Sequence, residues 1–168
     1  MRRPARAQPS HAIAGHAVSA QYPPGPRRKQ RPAGLGGDLL TWDVRARGAL
    51  AVVAVSGELD INSGPGLEVE LAPVADAGRH LILDLGGLRF CDCSGLSLFL
   101  RLQQRARAAG GSLHLAALTP RVLRVITAAR LADVLPITAS VAGAVAALDE
   151  AAIAAPPLAR PGDGDRAS

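Results

Sequence analysis

Three short apolar runs limit what this chain can become: Leu50-Ala-Val-Val-Ala-Val-Ser56, His80-Leu-Ile-Leu-Asp-Leu85 and Ser112-Leu-His-Leu-Ala-Ala117. Each is dominated by Leu, Val, Ile or Ala, flanked by glycine and too short for a stable helix, so each reads as a buried strand. Segments with helical periodicity lie between them. Strands joined through helices need crossovers, and crossovers make a mostly parallel sheet. The expected fold class is therefore α/β, a small, mostly parallel mixed sheet flanked by about four helices.

The remaining elements follow from local signals. Leu40–Val44 is a short strand, and Arg45-Ala-Arg-Gly48 reads as the turn of a hairpin leading to the run at Leu50. Asn62 or Ser63 caps a helix that carries Leu67, Val69, Leu71 and Val74 and ends near Gly78. Gly86-Gly87 reads as a turn after the second strand. Ser94–Ala109 is the strongest helix, halted by Gly110-Gly111. Thr119-Pro120 supplies a cap and a first-turn proline for the next helix. Leu135–Thr138 is a short edge strand, where Pro136 is tolerated, and Ser140 caps a final helix over Val141–Leu148.

Charge separates this core from its flanks. Residues 1–37 hold seven basic side chains and no acid, together with six prolines and five glycines. That composition cannot bury enough surface to offset chain entropy, so the segment is expected to be a disordered basic arm. Residues 38–150 form the domain, and 151–168, with Pro156, Pro157 and Pro161, form a disordered tail. Between residues 38 and 148 ten arginines balance ten acids, so the folded part offers no basic surface for DNA. Aromatic residues are 2% of the chain, which disfavours modules that stack nucleic-acid bases.

Cys91 and Cys93 are too close in sequence for an ordinary stapling disulfide, and the four histidines lack metal-ligand spacing. No run of about 20 apolar residues is present to span a bilayer. The expectation is a cytoplasmic protein without a metal, a cofactor or a membrane anchor.

The chemistry concentrates in Leu81-Ile-Leu-Asp-Leu-Gly-Gly-Leu-Arg-Phe-Cys-Asp-Cys-Ser-Gly-Leu96, where a strand gives way to a helix. Asp92 and Ser94 are both good capping residues, and first-turn N–H groups have no intrahelical partner. With the helix dipole they favour negative charge. A phosphoryl group on Ser94 would add about −1.5 to −2 charge opposite those donors and alter the surface without unfolding the domain. Gly95, Leu98, Phe99, Leu102, Ala106 and Ala109 share the helix face that packs on the sheet. Leu96 and Leu100 fall beside that stripe. They either widen the core or form an apolar patch next to Ser94, and the expectation is that Leu96, Leu100 and Ser97 contact a partner.

The order of elements and three stretches, Val55-Ser-Gly-Glu-Leu-Asp60, Leu83–Leu96 and Gly110-Gly-Ser-Leu-His-Leu115, resemble the STAS domain, and more narrowly the bacterial anti-sigma factor antagonists. The resemblance covers about residues 38–150. It implies that unphosphorylated protein binds an anti-sigma factor and frees a sigma factor. That anti-sigma factor, a serine kinase, would then phosphorylate Ser94, and a serine phosphatase would reverse the step. Asp92 and Cys93 would shape the loop, and Gly95 would leave room for the kinase. Cys93 stands where the family commonly has Ser or Thr. The same fold also serves as an interaction module in lipid-trafficking or signalling complexes.

Three other readings compete with this, one of them salt-dependent, sequence-independent nucleic-acid binding through the basic arm of residues 1–37. Cys93 or Ser94 as a catalytic nucleophile would need a base, and only His80 and His114 lie within the domain. Oxidation of Cys91 or Cys93 would gate access to Ser94. The function expected is phosphorylation-controlled protein binding without catalysis by this chain.

Overall fold

The computed structural model describes residues 27–30 and 39–154, with side chains from 39 to 150. One mixed sheet carries strands β1 (Arg27–Gln30), β2 (Leu40–Arg47), β3 (Leu50–Leu59), β4 (His80–Cys91), β5 (Ser112–Ala116) and β6 (Ile137–Thr138). They lie in sequential order; β1, β2 and β3 pair antiparallel, and β3 to β6 pair parallel. The crossovers are α1 (Gly64–Asp76), α2 (Cys93–Ala108) and α3 (Pro120–Ala128), the last followed by a 3₁₀ turn at Leu131–Asp133. Helix α4 (Val141–Ala154) closes the described chain.

The expected α/β architecture is present, with two unequal layers. Leu67 and Leu71 of α1, Leu98, Phe99 and Leu102 of α2, and Val122 and Ile126 of α3 pack with Val53, Val55, Leu81, Leu83, Leu85, Leu113 and Leu115 on one face of the sheet. On the opposite face a smaller cluster joins Val52, Ile82 and Ala116 to Ala144 of α4. Alternate residues of each strand feed the two layers, as the pleat requires.

Several local expectations change. Arg27–Gln30, inside the segment expected to be a disordered arm, pair with Leu40–Asp43. Strand β2 would otherwise be an open edge, and its unpaired backbone groups offer a template that overrides composition. The rest of the proposed arm and the end of the proposed tail lie outside the described residues. Helix α4 reaches Ala154, past the expected boundary at 150. Arg45–Arg47 belong to β2, not to a turn, and the hairpin closes at Gly48, whose φ of 56° suits glycine.

The larger change is in β4. Gly86 and Gly87 do not end it; the strand runs on to Cys91. The pairing slips between Ala54/Asp84 and Ser56/Gly87, and again between Gly57/Leu88 and Glu58/Phe90, each time leaving an extra residue on β4. These are bulges, and glycine is needed there because a Cβ on Gly87 would fall 2.1 Å from Ser56 Oγ. They carry β3 and β4 together to the rung Leu59↔Cys91, which sets two loops side by side.

A buried polar group fixes α2 against this sheet. Strand β6 is only two residues long and leaves the Leu113 amide without a strand partner on that side. Gln103 Oε1 accepts from Leu113 N at 2.7 Å, while its Nε2 donates to Val134 O at 3.4 Å. Gln103→Leu is expected to lower unfolding free energy by about 1–3 kcal/mol, the cost of stranding a buried donor. Urea denaturation measures it, and an unchanged midpoint would contradict this role for the amide.

Candidate functional site

Adjacent parallel strands end in matching polar loops. Asp92 N donates to Leu59 O at 3.2 Å, forming the last tie between β3 and β4. Beyond it, Asp92 is extended (φ −94°, ψ −175°) and occupies the N-cap of α2. Its Oδ1 accepts from Ser94 N at 2.8 Å, Gly95 N at 3.0 Å and Ser94 Oγ at 2.5 Å. Asp92 O then accepts from Leu96 N at 3.1 Å as the first helical bond. The expectation that the first-turn amides stand free for an anion needs correction: Asp92 already occupies those of Ser94 and Gly95.

The neighbouring loop is built the same way. Asp60 Oδ1 accepts from Asn62 N at 2.9 Å, Ser63 N at 2.8 Å and Ser63 Oγ at 2.9 Å. The Ser63 amide, with the other donors around it, holds the Asp60 carboxyl below the usual carboxylate range despite some opposing burial. Ser63 sits at the N-cap position of α1 without capping it, because its hydroxyl turns back to Asp60 and to Glu58 O at 3.0 Å. Farther along, Arg101 of α2 grips Glu68 of α1 through two bonds of 2.8 and 2.7 Å, and Arg105 pairs with Asp76. These pairs hold the two helices, and therefore the two loops, in register.

Ser94 is half-buried, with Cys93 and Ser97 exposed on either side. Ser97 Oγ donates to Cys93 O at 2.8 Å. The hydroxyl is thus positioned by Asp92, on a residue that is only partly buried. His80 lies at the start of β4, at the end opposite Cys91, and bonds Ser112 Oγ at 2.9 Å. His114 is opposite Ile82, on the α4 side of the sheet, and burial lowers its pKa. Neither supplies a base to Ser94 or Cys93, so the nucleophile reading loses its support. Among the described residues, no group of three His, Cys, Asp or Glu is placed to hold a metal, and no helix is long and apolar enough to cross a membrane.

The family model of the STAS domain matches residues 41–144. The chain is 33% identical over 93 residues to the anti-sigma-B factor antagonist of Bacillus subtilis, an alignment covering 55% of this chain and 85% of that protein. It is 30% identical over 103 residues to the putative anti-sigma factor antagonist BtrV of Bordetella bronchiseptica, across 61% of this chain and 89% of the relative. The crystal structure of an anti-sigma factor antagonist from Mycobacterium paratuberculosis superposes with a TM-score of 0.60 at 25% identity, covering 66% of this chain and 94% of that one. The chain belongs to the STAS-domain family of anti-sigma factor antagonists.

Within this STAS domain the residues around Ser94 divide into inside and outside. Leu96 is only 7% exposed and joins the main core, and Leu100 packs half-buried against it. Leu96 therefore widens the core stripe and is closed to a partner, while Leu100 packs against the same core with part of its surface exposed. Ile61, at the tip of the adjacent loop, is instead 70% exposed. Sequence reasoning treated that loop as a helix lead-in and passed over it; the available signal was one large aliphatic residue between Asp60 and Asn62.

Cys91 is buried, and burial above all pushes its thiol up to about 12, so it is not a thiolate at neutral pH. That removes Cys91 from a redox gate and leaves Cys93 as the exposed thiol. Gly95 is also buried. A Cβ there would lie 2.7 Å from Cys91 Sγ and 2.8 and 2.9 Å from Leu59 side-chain atoms. The space that glycine leaves is therefore inside the domain, where α2 meets β3 and β4, and not at a partner's approach. Gly95→Ala is expected to cost about 1–3 kcal/mol through overpacking. Chemical denaturation reads the loss, and wild-type stability in the variant would contradict the close packing.

Proposed function

We propose that this protein is a partner-switching antagonist whose state is written on Ser94. Unmodified, it binds an anti-sigma factor that is also a serine kinase and so releases a sigma factor for transcription. Transfer of phosphate from ATP to Ser94 Oγ ends that binding, and a serine phosphatase restores it. This places the protein in the cytoplasm, in control of transcription such as a stress response.

The observation that carries the proposal is half-buried Ser94, its hydroxyl held by Asp92 at the start of α2, in a chain whose curated relatives are anti-sigma factor antagonists. Asp92 and Gly95 serve the switch by fixing the backbone on both sides of Ser94. Cys93 keeps a small side chain next to it. Ser97, Ile61 and the exposed part of Leu100 serve as partner contacts, while Leu96 acts through packing. A phosphoryl group in this position would set about −1.5 to −2 charge at the start of α2, next to exposed Cys93 and Ser97, where a docking surface has to shed water.

Incubation of the full chain with ATP and its cognate serine kinase, followed by mapping of the phosphate, tests the proposal. One phosphate on Ser94 is expected. Ser94→Ala keeps the Asp92 bonds to both backbone amides, so it should fold, accept no phosphate and bind the anti-sigma factor constitutively. Phosphate on another residue, or none with an active cognate kinase, would overturn the assignment.

A further inference from the structure

The Asp92–Ser94 contact has opposite consequences before and after modification. In the unmodified protein one carboxylate oxygen collects the hydroxyl of Ser94 and the amides of Ser94 and Gly95. When a phosphoryl group is transferred, the Oγ–H bond and the terminal phosphoanhydride bond of ATP break. The Oγ–P bond forms, ADP leaves and the proton passes to solvent. Asp92 then loses its hydroxyl donor and faces a dianion attached to the same Oγ. The two amides that Asp92 holds are first-turn donors of α2, which favour an anion.

Two neighbouring charged groups, Asp60 and Arg101, are already engaged elsewhere. Asp60, which follows the rung Leu59↔Cys91 on the neighbouring strand, is a further carboxylate, and its oxygen is committed to Asn62 and Ser63. Arg101, two turns along α2, is engaged by Glu68. Two anionic groups are left to compete for one pair of N–H groups, and helix N-termini accept either.

On the reading that Ser94 is the phosphorylated residue, we propose that Asp92 is a positioning residue with two roles: it holds the Ser94 hydroxyl in the unmodified protein, and it is displaced from the Ser94 and Gly95 amides by the phosphoryl group, so that the N-cap of α2 changes hands. The switch then includes a local exchange of hydrogen bonds as well as a change of surface charge. The fold is retained because the helix is capped in both states.

The test uses the full chain with phosphoserine installed at position 94 during translation, in the wild type and in Asp92→Asn. Asn caps a helix about as well as Asp but carries no charge, so the unmodified variant should keep its fold. Phosphorus NMR follows the second ionisation of the phosphate, which lies near pH 6 in an unperturbed phosphoserine. That ionisation is expected to fall by about half a pH unit or more in D92N, because a like charge has been removed. In the phosphorylated wild type, the Ser94 and Gly95 amide resonances should titrate together with the phosphate. Superimposable phosphate titrations in the two proteins, or amides that ignore the phosphate, would overturn the exchange. Should D92N fail to fold, Asp92→Ser supplies the uncharged cap. Since the phosphate is installed without a kinase, failure here is distinct from failure of the kinase to select Ser94.

Discussion

A single carboxylate oxygen joins the end of one strand to the beginning of one helix. Asp92 Oδ1 satisfies two backbone amides that α2 cannot satisfy itself and holds the hydroxyl at the proposed switch. Its position depends on β3 and β4 running together to Leu59↔Cys91, which in turn depends on the two bulges that absorb the extra residues of β4. Gly95 lets α2 start against Leu59 and Cys91. The placement of Ser94 is therefore a result of sheet register and helix packing as well as of a loop sequence.

This arrangement keeps the proposed modification apart from stability. The apolar residues that hold α2 in place, Leu96, Leu98, Phe99 and Leu102, are buried beneath the helix. The groups available to another protein, Cys93, Ser97 and Ile61, lie outside. A charge added to Ser94 acts at the cap and at the surface, away from the packed face. Hydrophobic burial, the main favourable term in folding, is not altered by it.

What could be read directly from the residues was whatever depends on local chemistry. Runs such as Leu50–Ser56 and the stop at Gly110-Gly111 located strands and the main helix, and Thr119 and Ser140 cap their helices through bonds to Val122 N and Gly143 N as expected. Misreadings arose where a neighbour decides the outcome. Gly86-Gly87 looks like a turn until Ser56 is known to lie against Gly87. Arg27–Gln30 has the composition of an unstructured arm, but an open β2 edge pairs with it. Leu96 lies off the ideal helical stripe, yet the main core extends far enough to bury it. At the site, Ser94 was legible as a residue, but the occupied state of its amides was not, because Asp92 and Ser94 are both capping types and the backbone, extended at Asp92 and helical from Cys93, decides which one caps.

The central claim is that a change at one hydroxyl alters binding while the domain stays folded. Its most direct test is the affinity of the full chain for its anti-sigma factor, measured by calorimetry with Ser94 unmodified and phosphorylated, alongside the circular dichroism of each form. A buried like or unpaired charge at an interface costs several kcal/mol, so affinity should fall at least about 30-fold with the spectrum unchanged. Equal affinity in the two forms, or a loss of affinity that accompanies unfolding, would contradict the account.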